Sequence, residues 1–177
     1  NFNNLGQDLS WNVSKVTNMV AMFANAKSFD SNIGNWNTIS CQDMLAMFYQ
    51  ATEFNQDISA WKTGNVTNMS LMFRGASDFN NFGQDLSWNV SKVTDMYEMF
   101  ASAYNFDSNI GNWNTIRCQD MAYMFNSATE FNQDISAWDT RNVIEMSSMF
   151  QGASDFDNSG QDLSWNVSNV TYMNNIF

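Results

Sequence analysis

The chain repeats one sequence pattern seven times, and this repeat constrains its fold more than any other feature. Each unit opens with a Phe, continues through a short polar stretch with one Ile or Leu to a Trp, and ends in an apolar string built around Met-x-x-Met-Phe. The opening residues are 25 or 27 positions apart, at Phe2, Phe29, Phe54, Phe79, Phe106, Phe131 and Phe156. A fixed period of this length is typical of a solenoid, in which each coil buries its apolar face only against its neighbours.

The repeat predicts a single array over residues 1–177 rather than separate globular domains. Three coils form a longer unit, because 59 of the 77 residues in 2–78 are identical to their counterparts in 79–155. We therefore expect a duplicated three-coil superrepeat, 2–78 and 79–155. The seven coils are 2–28, 29–53, 54–78, 79–105, 106–130, 131–155 and 156–177. The lack of an initiator Met, a signal peptide and a polar capping unit favours an excised part of a longer array or a processed piece.

The sequence of each coil predicts one short strand and one short helix. In the coil 54–78, apolar residues recur at helical spacing, at Val66, Met69, Met72, Phe73 and Ala76. Upstream, polar and apolar residues alternate around Ile58, as expected of a strand with one buried face. One strand per coil, all in the same direction, predicts an α/β solenoid with a parallel sheet on one side and helices on the other. All thirteen Met lie in the helical stripe, where a packed core is favoured over a partner groove or a soft-metal site.

The longer coils carry two extra residues between Phe and Trp. These follow Phe2, Phe79 and Phe156 and are rich in Asn and Gly. Because both residue types favour turns, we expect a bulge just before the strand in these three coils.

The composition excludes several classes of partner. The net charge is −11, with 7 basic against 18 acidic residues. A nucleic-acid partner is not expected, since binding its phosphates needs clustered Lys and Arg. Docking on anionic lipid is disfavoured for the same reason, and the apolar runs are too short to be inserted in a membrane. The Asn-rich, acidic composition fits an extracellular surface.

The two cysteines are expected to be free and buried. Cys41 and Cys118 stand in a column where the other coils have Val. Three coils at a strand spacing of about 4.8 Å separate them by about 14 Å, which is too far for a disulfide. Cys in place of Val indicates a packing role.

The repeated motif resembles a known family. Phe-Asn-Gln-Asp-Ile-Ser-x-Trp followed by Asn-Val-Thr-x-Met-Ser-x-Met-Phe-x-Gly-Ala is similar to the repeat of about 25 residues in BspA-like leucine-rich-repeat surface proteins, with the best matches at 54–78 and 131–155. The resemblance implies a right-handed, leucine-rich-repeat-like solenoid that is secreted or held at the cell surface and serves adhesion or protein binding. It implies no catalytic residues.

The residue inventory argues against an enzyme. Without His, and with both Cys in a core column, nucleophilic triads and common zinc sites are excluded, and no pair of carboxylates is unique within the repeat. The Trp column could be a platform for sugars, although partly buried structural Trp is favoured. An ice-binding ladder is a further hypothesis, but the outward residues are Asp, Asn and Ser rather than Thr.

One outward column is the candidate binding site. It is the polar ladder beside the predicted strands, formed by Asp8, Asn32, Asp57, Asp85, Asn109, Asp134 and Asp162. Stacked carboxylates repel, so either the interposed Asn relieves the charge, giving a hydrated polar face, or calcium lies between the coils. No other cofactor is expected.

The sequence thus favours a non-enzymatic extracellular or cell-surface module for adhesion or macromolecular binding, with a protein or glycan of a cell or matrix surface as its partner. Repetition of a weak contact along the array would raise its avidity. The alternatives are a structural subunit that self-associates end to end into a fibre or surface layer, and a calcium-stabilised or glycan-binding solenoid.

Overall fold

Stacked coils that follow the sequence repeat make up the molecule. The computed structural model describes residues 2–4 and 7–177. Neighbouring coils are joined by backbone hydrogen bonds between residues 23 to 28 positions apart. One parallel bridge residue per coil also pairs with the next coil, in the order Asn18, Asp43, Asn68, Asp95, Asp120, Glu145 and Tyr172. Equivalent residues of the repeat therefore lie above one another in columns.

Regular secondary structure is nearly absent from the described residues. The helices that lie wholly within the described residues are two 3-10 helices, Asn81–Gly83 and Asn158–Gly160, and strand pairing there is limited to the single bridge residues. The prediction of an α/β, right-handed leucine-rich-repeat-like solenoid, with one parallel strand and one helix per coil, is therefore wrong. The leucine-rich-repeat description falls with it. None of the helices in the described ranges is long and apolar enough to cross a membrane.

Overlapping turns take the place of the predicted helix. In the third coil, Met72 N donates to Met69 O at 3.3 Å, a hydrogen bond that spans three residues rather than four. Leu71 and Gly75 have φ of +60° and +70°, a left-handed conformation that an α-helix of L-residues does not contain. Alternate N–H groups leave the coil, as Met69 N does to reach Asp95 O at 3.0 Å. Overlapping turns repeat every two to four residues, so they produce the same apolar spacing as a helix face.

Isolated hydrogen bonds and close contacts replace the predicted strand, and they differ between coils. Ile58 N donates to the side-chain Oδ1 of Asn81 at 2.8 Å, not to a neighbouring carbonyl. Trp61 N then closes a turn on Ile58 O at 3.1 Å. In coil two, Gly34 lies so near coil three that a Cβ on it would be 2.4 Å from Asp57 O. The alternation around Ile58 therefore reports one buried side chain between turns.

Columns of aromatic rings form the core. Successive centroids are 5.8–5.9 Å apart in the column of opening Phe rings from Phe29 to Phe131. They are 5.4–5.7 Å apart in the column of closing Phe rings from Phe23 to Phe150. The Trp column is spaced at 6.0–6.4 Å. Eleven of the thirteen Met are buried beside these rings, which confirms the prediction that the Met stripe belongs to the core.

A column of Asn and Asp ties each coil to the next. Asn55 Oδ1 accepts from Asn80 N at 2.9 Å, and Asn80 Oδ1 accepts in turn from Asp107 N at 2.9 Å. The same bond recurs at Asp30, Asp107 and Asn132. These side chains follow the opening Phe directly, a position that is Asn or Asp in every coil, so this recurring polar position has a structural role.

The two-residue insertions satisfy buried backbone groups. Asn81 is buried in the first 3-10 helix, where its Oδ1 accepts from Ile58 N and its Nδ2 donates to a carbonyl three residues on. Asn158 does the same for coil six. The insertion is a turn, as expected, although no strand follows it. The insertion of coil one includes Leu5 and Gly6, which lie outside the described residues.

Both cysteines are core residues. Cys41 and Cys118 are buried and unpaired, which confirms the expectation for them. Their Sγ atoms lie 3.4 and 3.3 Å from the carbonyl oxygens of Asp43 and Asp120. Burial raises the pKa of both thiols, so neither is poised as a thiolate.

Candidate functional site

The predicted polar ladder runs along the surface, with one member in each coil. Six members are exposed and Asn109 is half-buried. Four of them serve as local caps: Asp57 Oδ1 accepts from Ser59 N at 2.9 Å and from Ser59 Oγ at 2.6 Å. Equivalent backbone bonds are made by Asn32, Asn109 and Asp134.

Hydrogen bonds lower the pKa of one carboxyl group in this ladder. Bonds from Ser136 hold the pKa of the Asp134 carboxyl below its usual range. Within residues 2–4 and 7–177 no group of three or more His, Cys, Asp or Glu is arranged to hold a metal ion. Calcium or partner binding at Asp8, Asn32, Asp57, Asp85, Asn109, Asp134 and Asp162 stays a prediction.

The interior Trp rings are structural. Their exposed fractions are only 2–5% at Trp36, Trp61, Trp88, Trp113 and Trp138. Each Nε1 donates to a carbonyl of the preceding coil, as Trp61 does to Ile33 O at 3.1 Å. With their faces stacked and their N–H groups bonded, these rings do not form a platform for sugars.

A second acidic column follows the bridge residues. Asp95, Asp120 and Glu145 lie on three consecutive coils and are half-buried. Asp120 Oδ1 accepts from Ala122 N at 2.9 Å, as its counterparts do in their own coils. Burial raises the pKa of Asp120, and the like charges of Asp95 and Glu145 raise it further. The carboxylates of this column therefore repel one another between neighbouring coils.

The two superrepeats differ mainly on one surface. Of the 18 positions at which 2–78 and 79–155 differ, 13 lie in the segments 18–28, 43–53 and 68–78. Those segments hold only 33 of the 77 positions, and their inward Met and Phe residues are identical in both halves. The halves thus share one core and have diverged on the outer side of the run of turns.

A connected set of side chains occupies this outer side across four coils. Arg74 Nη1 donates to the Tyr49 hydroxyl at 2.8 Å, with the guanidinium carbon 5.5 Å from the ring centroid. Arg74 also pairs with Glu98, and a hydrogen bond with Glu98 raises the pKa of Tyr97 to about 12. Tyr97 meets Tyr123 edge to face, with centroids 6.0 Å apart. We name these five half-buried residues the tyrosine cluster.

The tyrosine cluster is better suited to contacting a partner molecule than to catalysing a reaction. Its phenol at Tyr97 is held neutral and its Arg74 is already paired, so it offers ring surface and hydroxyl groups to a partner. The tyrosine cluster was not predicted from the sequence, because the predicted site consisted of a column with one residue in every coil. A signal was available: all five Tyr of the chain stand where equivalent coils have another residue, as Tyr97 does opposite Val20.

Comparison with known proteins gives a family and no function. Residues 1–87 and 81–177 each match the sequence family described as "Mycoplasma protein of unknown function, DUF285". No curated protein and no solved structure matches the chain. None of these comparisons links it to BspA-like repeat proteins, so that resemblance stays a prediction. The two matches together span the whole sequence, and the chain therefore belongs to the DUF285 family.

Proposed function

We propose that this chain is a non-enzymatic binding module of the cell surface or extracellular space, and that it contacts a protein partner through the tyrosine cluster. The observation that carries the proposal is that all five residues of the cluster stand at positions where the duplicated halves differ, on the surface that holds 13 of the 18 differences. The differences join side chains of several coils into one connected set, which random exchange of exposed residues would not be expected to produce. Divergence concentrated on the outer side therefore supports a change of binding specificity.

The composition and connectivity of the cluster support protein contact. Tyr and Arg are among the residues most enriched at the energetic centres of protein interfaces. The bonds from Arg74 to Tyr49 and Glu98 hold the side chains in place across the coils. Less side-chain entropy is then lost on binding. Because Arg74 is neutralised by Glu98, the cluster favours a partner surface with apolar side chains and hydrogen-bond acceptors.

The duplication supplies variants that should keep the fold. Tyr97→Val with Tyr123→Ala copies Val20 and Ala46, which the other half already accommodates. On an array of purified matrix and cell-surface proteins, we expect the wild-type chain to bind at least one protein and the double variant to bind it more than tenfold more weakly, in line with about 2 kcal/mol for an interface anchor.

A matched control changes a different surface. Thr67→Ile copies Ile144 and lies outside the tyrosine cluster, so its binding should equal that of the wild type. Undiminished binding by the double variant, or an equal loss with Thr67→Ile, would show that the partner does not use the cluster.

The location is proposed on the resemblance to surface repeats and on the Asn-rich, acidic composition. Protease treatment of intact source cells tests it. A surface protein is cleaved while the cells stay sealed, whereas full protection until lysis would contradict an extracellular location.

The other hypotheses keep their own tests. End-to-end assembly predicts filaments by electron microscopy and particles by light scattering, and a monodisperse monomer contradicts it. Calcium between the coils predicts that a chelator lowers the melting temperature, and a calcium titration without any shift contradicts it.

A further inference from the structure

The basic residues of this acidic molecule are concentrated along one edge. We name as the basic edge the six residues after each Trp, which are 12–17, 37–42, 62–67, 89–94, 114–119, 139–144 and 166–171. It contains five of the seven basic residues and one of the 18 acidic residues, a net charge of +4 against −15 for the rest of the chain. All five are exposed: Lys15, Lys62, Lys92, Arg117 and Arg141.

Most of these charges are available to a ligand. The single acid of the edge, Asp139, is bound by Arg141 with Nε and Oδ1 2.9 Å apart, and this contact lowers its pKa. Lys92 Nζ donates to the neutral amide oxygen of Asn65 at 2.7 Å and so keeps its charge unpaired. In the described part of the chain, Lys62 and Arg117 form no ion pair.

The neighbouring acidic column does not cancel this charge locally. It begins one residue beyond the edge, and its carboxylates are directed to backbone groups of the turns. Asp120 Oδ1 binds Ala122 N at 2.9 Å, and Asp95 Oδ1 binds Tyr97 N at 2.9 Å. The carboxylates that act on Asp120 are those of Asp95 and Glu145, and no basic residue of the edge contributes to its pKa shift.

A groove with uncharged hydrogen-bonding groups lies along the edge. Arg117 lines it together with Thr94, Asn142 and Asn169. The amide nitrogens of Asn142 and Asn169 are used on carbonyls of the preceding coil, at 2.7 and 2.6 Å. Their amide oxygens are therefore the groups left to accept hydrogen bonds from a hydroxylated ligand.

We propose that the basic edge binds an acidic polysaccharide. From Lys62 to Arg141, each of four successive coils contributes one basic residue to the edge, and amide and hydroxyl groups lie between these residues. This arrangement matches a polymer in which carboxylate or sulfate groups alternate with sugar hydroxyls. Single-stranded nucleic acid fits less well, because the five interior Trp rings are buried and cannot stack on its bases. An anionic bilayer fits less well because its extended surface would also face the rest of the molecule, whose net charge outside the basic edge is −15. This site is separate from the tyrosine cluster and does not depend on it.

The test measures binding of two labelled probes, a sulfated heparin oligosaccharide and a carboxylated hyaluronan oligosaccharide, by fluorescence anisotropy at low salt. Arg117→Ser copies Ser40 and Lys62→Asp copies Asp139, so the double variant uses residues that the fold already holds. We expect binding of at least one probe, a loss of about tenfold in the double variant, and weakening of the wild-type complex by salt.

Lys27→Tyr, which copies Tyr104, is the charge-matched control for Arg117→Ser alone, because each removes one positive charge and Lys27 lies outside the basic edge. Its affinity should stay within about twofold of the wild type. The proposal is overturned if neither probe binds, if the double variant binds as well as the wild type, if Lys27→Tyr loses as much affinity as Arg117→Ser alone, or if single-stranded DNA or anionic vesicles bind more tightly than both probes.

Discussion

Gly34 shows how firmly the stack can fix the identity of one residue. A Cβ at this position would lie 2.4 Å from Asp57 O, and at the equivalent Gly111 it would lie 2.5 Å from Asp134 O. Both obstacles are backbone oxygens of the next coil, which cannot swing aside as a side chain would. The small residue is therefore required by coil spacing, not by a left-handed backbone.

Gly34→Ala should destabilise the protein by about 1–3 kcal/mol, because one methyl group must push two coils apart. Gly64→Ala is the matched control. Its nearest neighbour is the side chain of Asn89, and the equivalent residue of the other half is Arg141. Thermal and urea unfolding followed by Trp fluorescence would compare the two variants. Equal stability of both would contradict the close approach at Gly34.

The cysteines make a second prediction at the scale of the residue. Since burial raises the pKa of both thiols, a thiol reagent at pH 8 should label Cys41 and Cys118 only slowly in the folded protein and quickly in denaturant. Exchange of both for Val, the residue of the other coils, should leave the melting temperature nearly unchanged. Rapid labelling of the native protein would show that a thiol is accessible.

At the scale of the element, the apolar pattern identifies what is buried but not the backbone that buries it. The Met, Phe and Trp columns, the free cysteines and the turn at the insertions were predictable from spacing and residue type. The helix was not ruled out by the sequence, because overlapping turns also place Met69, Met72 and Phe73 on one side. The deciding feature is a left-handed residue twice per coil, and ordinary residues such as Leu71 and Tyr123 occupy it in some coils. The tyrosine cluster was equally hidden, because its contacts join different coils.

The acidic column at the bridge residues predicts how stability changes with pH. Because the folded pKa of Asp120 lies above its ordinary value of 3.8, the stability linked to this group is present at low pH and is lost as pH rises through the folded pKa. Asp120→Asn keeps the capping oxygen and removes the charge, as Asn68 does in the same column. We expect a gain of about 0.2–1 kcal/mol at pH 7 and none at pH 3.

Asp43→Asn is the matched control for this change. Its neighbours in the column are Asn18 and Asn68, so no stacked carboxylate is relieved. Denaturation of both variants at the two pH values provides the measurement. A gain at Asp43 equal to that at Asp120 would assign the effect to net charge instead of to the stack.

At the scale of the whole molecule, the three-coil period repeats one type of junction between coils. A long coil follows a coil such as 54–78, and its buried Asn81 accepts the hydrogen bond of Ile58 N. The same junction recurs where Asn158 accepts from Ile135 N. The sequence reveals the period of the insertions, but only the structure shows that those at Asn81 and Asn158 accept a hydrogen bond from the coil before them.

Two deletions test whether the order of the coils or their number decides the stability of the protein. Removing 79–155 joins coil 54–78 to coil 156–177, so Ile58 can take the place of Ile135 opposite Asn158. Removing 131–155 leaves 52 more residues but puts coil 106–130 before the insertion, a junction that the molecule does not contain. The new junction keeps a donor for the buried Asn158 oxygen, because Ile110 lies four residues after its opening Phe, as Ile135 does. We therefore expect the longer product to have the higher melting temperature, since stability in a stack grows with each interface. A lower melting temperature for the protein that lacks 131–155 would show that coil 106–130 does not fit before an insertion.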